Sequence, residues 1–325
     1  QSDTEVILHL YEELGPACLQ HFNGQFAIAI WDTKQETLFL ARDRLGIRPV
    51  FYAPLPQGLV FGSEIKAILL DSRIPVRLDP YALAQTFTFW APLAPRTVFQ
   101  GIEELQPGHY MLVTKDGRTV SRYWSLEFPP AGEEAKLSEG EAAEQLRALL
   151  SDATRLRLRA DVTVGSYLSG GLDSTYIAGL IREHTPESLC TFSIGFANAA
   201  YDESKYQELA TAFLGTDHRR TYCEDADIGR VLPEVIWHTE VPILRTSPVP
   251  MYLLSKLVRD NNIKVVLTGE GSDEFLGGYD IYKEDKIRRF WARDPGSTLR
   301  PLLLRRLYPY IANVTRGGDA YLAAF

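Results

Sequence analysis

The six residues Ser169-Gly170-Gly171-Leu172-Asp173-Ser174 stand between an apolar run, Val162 to Leu168, and a helical pattern, Ser174 to Glu183. A strand that turns through two adjacent glycines straight into a helix leaves few folds open. The glycines let the backbone turn tightly and approach a neighbouring group closely. The helix start then presents free N–H groups and the positive end of its dipole to whatever lies beyond the strand. That sequence of parts belongs to an α/β layer fold.

The segments that follow agree. Leu189 to Phe196 and Ile263 to Leu267 have the length and composition of buried strands, and Glu203 to Leu214 and Val249 to Arg259 have helical periodicity. Alternating strands and helices predict a parallel sheet with helices on both faces, and such sheets bind ligands beyond the carboxyl ends of their strands.

The first 125 or so residues follow a different pattern. Phe26 to Trp31 and Thr37 to Ala41 flank the turn Asp32-Thr33-Lys34-Gln35, which predicts a hairpin. Val50 to Tyr52 and Leu59 to Phe61 form a second pair of short strands. Ser63 to Leu70 has a helical pattern, and Asp79-Pro80 opens another helix with proline at its first position. Tyr110 to Thr114 and Thr119 to Tyr123 flank Lys115-Asp116-Gly117, a hairpin signal. Phe128 to Leu137 is rich in Pro, Gly and charge and has no periodicity. Ser138 with Glu141 then forms a capping-box pattern that starts a long helix to about Arg159. Two domains are therefore expected, 1–127 and 138–325, with 128–137 as linker.

Composition narrows the function classes. Of the 325 residues 45% are hydrophobic and 23% charged, as in an ordinary globular protein, and the net charge is −8. An acidic balance argues against nucleic acid as a partner, since a general nucleic-acid binder presents a basic field. No apolar run reaches the roughly 18 residues that span a bilayer, so no membrane partner is expected. The three cysteines, Cys18, Cys190 and Cys223, show neither metal-ligand nor disulfide spacing, which fits a reducing compartment and a cytoplasmic location. The six histidines, His9, His21, His109, His184, His218 and His238, show no paired metal spacing.

The glycine turn is suited to a phosphate chain. Ser169 and Ser174 supply hydroxyl donors beside the helix start. Asp173 would repel a bare phosphate, but makes sense if it holds Mg²⁺ bridging the phosphates. Taken alone the segment is also compatible with a plain Gly-Gly turn carrying Asp in the first helical turn. The phosphate motif GxxxxGK[ST] is absent, because no Gly-Lys pair occurs. A second loop, Gly269-Glu270-Gly271-Ser272-Asp273-Glu274, follows the strand Lys264 to Leu267 and belongs on the same sheet edge. Three carboxylates in five residues repel one another unless a cation shares them. The loop imitates GxGxxG only superficially, since Glu274 occupies the third glycine position.

These two loops, with Pro250-Met251-Tyr252-Leu253 between them and Gly277-Gly278-Tyr279 after them, resemble glutamine-hydrolysing asparagine synthetases. Phe192-Ser193-Ile194-Gly195-Phe196, Tyr201-Asp202-Glu203 and Leu214-Gly215-Thr216 match as well. So do Ser2-Asp3-Thr4-Glu5, Asn23-Gly24, the run Ala41 to Pro49, and Ser63-Glu64-Ile65-Lys66-Ala67, which resemble the later half of a class II glutaminase domain. The resemblance covers nearly the whole chain in order. It implies part of an α+β glutaminase sandwich of the N-terminal-nucleophile (Ntn) type, followed by a doubly wound parallel-sheet ATP-pyrophosphatase domain. It places Ser169, Gly170, Gly171, Asp173 and Ser174 at the pyrophosphate of ATP, and Leu168, Ile194, Thr268 and Gly269 at its AMP part. It makes Asp173 and Asp273 the Mg²⁺-linked carboxylates, and Glu270 and Asp173 catalytic, with Glu270 a base for incoming ammonia. Asp3 falls where the amino group of glutamine binds, and a carboxylate suits that ammonium. Glutamine and aspartate, or a related carboxylate, are the implied substrates, and a homodimer is compatible with the resemblance.

The chain also departs from the family pattern. Family glutaminases use an N-terminal Cys whose own amine is the base. This chain opens on Gln1, and Cys18 sits inside a helical pattern without a free amine, so this stretch is not itself expected to hydrolyse glutamine. Both ends run into apolar helical patterns, Val6 to Leu14 and Asp319 to Phe325, so a piece of a longer protein is expected, lacking a further family Lys beyond the end. Val241-Pro242-Ile243-Leu244-Arg245-Thr246-Ser247-Pro248 lies where the family reads its amino-acid substrate, with the Arg displaced and prolines intruding. Three functions are therefore carried forward: amidation of aspartate or another carboxylate, a β-lactam synthetase-like cyclisation, and ATP binding without catalysis. The intact Asp173, Glu270 and Asp273 weigh against the last.

Overall fold

A computed structural model describes residues 2–130, 132–185, 187–198 and 201–307. The chain divides into two compact units, Gln1–Lys136 with Asp225–Pro250, and Leu137–Glu224 with Met251–Phe325.

The first unit begins with α1 (Asp3–Leu14), whose N-cap Ser2 accepts the Glu5 N–H at 3.3 Å. A 3-10 segment, Gly15–His21, follows and buries Cys18 and Leu19. The first expected hairpin forms as β1 (Ala27–Asp32) and β2 (Thr37–Arg42). Asp32 turns it by accepting the N–H groups of Lys34 and Gln35 at 2.9 and 3.0 Å. β3 (Phe51–Leu55) pairs with β4 (Gly58–Gly62). The helix expected over Ser63 to Leu70 shrinks to α2 (Ile65–Ile68), while α3 (Pro80–Phe89) starts on Asp79 as expected. After β5 (Glu103–Glu104), β6 (His109–Thr114) and β7 (Gly117–Arg122) form the last hairpin.

These strands make two antiparallel sheets, ordered β1-β2-β6-β7 and β4-β3-β5. Strand alternation sorts β2 between two cores. Leu38 and Leu40 join Met111, Tyr52 and Leu59 between the sheets. Phe39 and Ala41 face the other way, onto Ile7, Leu10, Cys18 and Leu19. A third cluster packs α2 on the outer face of the smaller sheet, through Ile65, Ile68 and Ala53. The unit is a sandwich flanked by helices. Cys18 is fully buried in it and its thiol pKa is pushed up by burial, as suits a structural cysteine.

The Ala41 to Pro49 motif holds its own turn. Asp43 is buried and accepts N–H groups from Phe26, Leu45, Ile47 and Arg48, at 2.9 to 3.2 Å. Arg42, also buried, pairs with Glu104 at 2.6 Å and donates to the carbonyls of Gly46, Arg48 and Leu105. A buried ion pair is tolerated only with its remaining groups satisfied in this way.

The second unit opens with α4 (Glu139–Arg157), and both halves of the Ser138–Glu141 capping box form. Among the described residues, 128–137 carry no helix or strand. Then come β8 (Val164–Tyr167), α5 (Leu172–His184), β9 (Cys190–Phe196), α6 (Ser204–Leu214) and β10 (Asp217–Cys223). α7 (Asp225–Thr239) belongs to the first unit, and α8 (Pro248–Asp260) begins there before continuing into the second. β11 (Val265–Leu267), α9 (Ser272–Leu276), α10 (Asp280–Ala292) and a 3-10 turn, Arg300–Arg306, complete the description. The helical pattern at 319–325 lies outside the described residues.

All four strands of this sheet are parallel, in the order β10-β9-β8-β11. Helices cover both faces. Leu168 and Leu267 pack on one side with Ala178 and Ile181 of α5 and Ala210 of α6. Tyr167 and Val266 pack on the other with Leu254 and Val258 of α8. The unit is the doubly wound sheet that the alternation predicted. Among the described residues, no helix is long and apolar enough to cross a membrane.

Candidate active site

β8 to β10 build the sheet outward in one direction, and β11 then returns to the other side of β8. The order reverses between β8 and β11, which is where open α/β sheets form their ligand crevice. Ser166 lies opposite Leu267 across this pair, and its hydroxyl donates to the Leu267 carbonyl at 3.1 Å. The two motif loops leave the carboxyl ends of these same two strands.

The first loop is shaped by its glycines and serines. The Leu168 N–H donates to the Phe192 carbonyl at 2.9 Å, extending the sheet one residue past β8. Gly170 has φ +85°, and a Cβ there would stand 2.8 Å from Gln207 N and from Tyr206 Cβ. Only glycine satisfies both the backbone angle and the close approach. The Ser169 and Ser174 hydroxyls lie 2.8 Å apart. Ser174 Oγ also accepts the Ser169 N–H at 3.1 Å and is 3.3 Å from the Gly171 carbonyl. These hydroxyls, expected as phosphate donors, are engaged in bracing the loop. α5 starts two residues earlier than its periodicity suggested, at Leu172, and among the described residues no side chain caps it. Its first-turn N–H groups and positive dipole end lie at the crevice.

The second loop is built the same way. Thr268 Oγ1 accepts the Glu270 N–H at 3.3 Å, and Ser272 Oγ donates to the Gly269 carbonyl at 2.7 Å. Gly271 takes φ +93° at the start of α9. A Cβ on Gly269 would stand 2.8 Å from Ser174 N and 2.9 Å from Asp173 Cβ, so here the two loops touch. Gly278 lies against Asp273: a Cβ on it would meet Oδ1 at 1.8 Å.

Together the loops line a cavity of about 350 Å³. Leu168, Ser169, Gly171, Asp173 and Ser174 lie on its wall, as do Ile194, Thr268, Gly269, Glu270 and Asp273. Gly170 is not on the wall but packs behind it on Gln207. Asp3 belongs to the other unit, exposed in the first turn of α1. Ser193, Glu203, Gln207, Met251, Glu274 and Tyr279 also line the cavity without having been assigned roles from sequence. Ser193, Glu203, Met251, Glu274 and Tyr279 lie inside segments that carried the resemblance, which was the available signal. Nothing in the sequence marked Gln207, because its position depends on the sheet.

The electrostatics are strongly negative. The Tyr279 hydroxyl donates to Glu274 Oε1 at 2.9 Å, and its pKa is pushed up to about 12. That hydrogen bond is the largest cause, followed by burial and the charges of Glu274, Asp273 and Glu270. Among the described residues, no three His, Cys, Asp or Glu side chains are grouped closely enough to hold a metal alone. The donor set nevertheless suits Mg²⁺, which takes one or two carboxylates and completes its shell with substrate phosphates and water. Asp173 and Asp273 face one cavity and meet that description.

Residues 145–322 match the family described as asparagine synthase, and residues 1–124 match a glutamine amidotransferase domain. The chain belongs to the asparagine synthase family. Among its relatives are Bacillus subtilis asparagine synthetases (glutamine-hydrolysing) 1 and 3, 32% and 35% identical over 93% and 86% of this chain, and 47% of each relative. Penicillium rubens amidase chyE is 31% identical over 88% of this chain and 44% of its own length. The chain thus spans about half the length of these family members. An ammonia-dependent NAD synthetase from Campylobacter jejuni subsp. jejuni NCTC 11168 covers 55% of this chain and 96% of its own, at 17% identity. Its TM-score is 0.29, so the fold assignment rests on the strand order above.

Proposed function

We propose that the full-length protein is an ATP-dependent amide-forming ligase that activates a carboxylate as an acyl-AMP and releases AMP and pyrophosphate. The observation that carries this is the contact of the two loops at Gly269. It brings a glycine-rich helix start and an acidic strand end onto one cavity, at the reversal of strand order. A phosphate chain fits the first loop, and a carboxylate set suited to Mg²⁺ stands beside it.

A carboxylate oxygen of the substrate attacks the α-phosphorus of ATP, and the bond to the bridging oxygen breaks as pyrophosphate leaves. The α5 N–H groups and the first loop hold the leaving pyrophosphate and offset its charge. Mg²⁺, when bound, neutralises phosphate charge, with Asp173 and Asp273 as its protein ligands. Ammonia then attacks the acyl carbon, AMP departs, and the surplus proton passes to Glu270, the carboxylate nearest the start of the second loop. Leu168, Ile194, Thr268 and Gly269 are assigned to the AMP part, and Ser169, Gly170, Gly171 and Ser174 to the pyrophosphate.

Aspartate is the carboxylate we assign, with glutamine as ammonia source. Residues 1–127 are assigned to the glutaminase domain, with Asp3 toward the glutamine amino group, and 138–325 to the synthetase domain. One observation favours a second substrate reading. Relatives named amidase match as much of the chain as the synthetases do. Amidation of another carboxylate at the same site accounts for that match.

The deciding experiment is pyrophosphate release by full-length protein with Mg-ATP, ammonium and a panel of carboxylates, with the product identified by mass. Release that depends on aspartate and yields asparagine is expected. Release with a different carboxylate selects the second substrate, and no carboxylate-dependent release with any of them overturns the ligase assignment.

A further inference from the structure

A line of buried and half-buried hydrogen bonds runs from the sheet edge to the cavity. The Thr191 and Thr216 hydroxyls are 2.9 Å apart. Thr191 Oγ1 is 2.9 Å from His218 Nδ1, and His218 Nε2 is 2.9 Å from Ser193 Oγ. Ser193 Oγ donates to Gln207 Oε1 at 2.9 Å, and Gln207 Nε2 donates to the Ile194 carbonyl at 2.9 Å. Thr191, Ser193 and Gln207 are at most 2% exposed, so each depends on these partners. Ser193, Ile194 and Gln207 line the cavity, and the Gln207 backbone is what Gly170 packs against.

The direction of the line follows from its last member. A carbonyl only accepts, so Gln207 must present its NH₂ to Ile194 and its Oε1 to Ser193. The Ser193 proton is then committed to Gln207, so His218 must donate from Nε2. In the neutral ring Nδ1 is left to accept from Thr191, which in turn accepts from Thr216. Every proton has one place. Burial, followed by the charges of Arg220 and Arg219, lowers the His218 pKa, while Asp217 and Glu208 oppose the shift. That shift favours the neutral ring, and the hydrogen bonds of the line select its Nε2–H tautomer.

We propose that His218 is a positioning residue for nucleotide binding, holding the Ile194 carbonyl and the Gln207 support of Gly170 in place through Ser193. The inference rests on the adenylation assigned to the cavity. Removing the ring leaves Ser193 without its donor and frees it to rotate. Gln207 then loses its fixed orientation, and the cavity wall loosens at the nucleotide while the acidic loop is untouched.

The test is calorimetric titration of Mg-ATP into full-length wild type, His218→Ala, His218→Gln and Ser193→Ala. His218→Ala and Ser193→Ala should weaken ATP binding by about ten-fold. His218→Gln, whose amide can still donate toward Ser193, should recover part of the loss. The carboxylate KM at saturating ATP should stay within about two-fold of wild type. Nitrogen-15 spectra of wild type should show the proton on Nε2 and a bare Nδ1. Unchanged ATP affinity in His218→Ala, a carboxylate KM that rises in step with the ATP loss, or a proton on Nδ1 alone each overturn the inference. Should His218→Ala fail to fold, Ser193→Ala and His218→Gln decide it by the same ATP comparison. A wild type that binds no ATP would instead sink the adenylation itself.

Discussion

Gly278 shows how narrowly the acidic loop is built. A methyl there would stand 1.8 Å from Asp273 Oδ1, so Gly278→Ala must push that carboxylate aside. Pyrophosphate release should fall by about ten-fold or more, roughly 1.4 kcal/mol in the barrier, with the thermal midpoint little changed. Wild-type turnover in G278A would show that the position of Asp273 is unimportant. Gly269 differs because its neighbours are backbone: Ser174 N at 2.8 Å and the Asp173 carbonyl carbon at 3.0 Å cannot rotate away. Gly269→Ala should therefore cost both turnover and stability. His218 also makes a stability prediction. Its folded pKa is lowered from 6.5, so the unfolded chain binds the proton more readily. Stability from the neutral ring is present above pH 6.5 and is lost as pH falls through the lowered folded value. Denaturant titrations across that window should show a slope that His218→Gln flattens, and an unchanged slope would remove His218 as its source.

At the scale of elements, α4 gives the cleanest test. Ser138 Oγ accepts the Glu141 N–H at 3.3 Å, and Glu141 Oε2 accepts the Ser138 N–H at 2.9 Å. Ser138→Ala removes one half of the box, at a cost of about 1 kcal/mol. The thermal midpoint should drop by roughly 2–4 °C while pyrophosphate release is unchanged. No drop would mean that the start of α4 does not limit the stability of its unit. The capping box was legible because both partners lie within one helical turn. β10 was not legible, for the opposite reason. Its run Asp217-His218-Arg219-Arg220-Thr221-Tyr222-Cys223 has no apolar stretch, because an edge strand carries charged side chains that discourage further pairing. α7 was missed as well, and its place in the first unit depends on contacts far along the chain: Glu240, just past its end, accepts the N–H groups of Ile65 and Lys66 at 2.7 Å.

At the scale of the molecule, the walls of the proposed adenylation cavity come from the second unit alone. Ammonium salts should therefore sustain amide formation by the full-length protein with glutamine omitted. Mass-spectrometric detection of the amide checks this, and an absolute requirement for glutamine would contradict it. An amide formed from an amine within the substrate, with ammonium irrelevant, would instead indicate cyclisation.

The amino-acid sequence by itself determined the interactions that act over a few residues. The glycines that permit φ +85° and +93°, the capping residues Ser2, Asp79 and Ser138, and the periodicities that separate sandwich from parallel sheet all act locally. They placed both motif loops at strand ends. Only the tertiary structure decided that these strands are neighbours, that Gly269 rests on Asp173, and that His218 completes a hydrogen-bonded line to Gln207. It also turned the Ser169 and Ser174 hydroxyls toward each other. The physical reason is range: a turn or cap is decided by groups a few bonds apart. A buried polar side chain takes whichever partner the packing of distant segments brings within 3 Å.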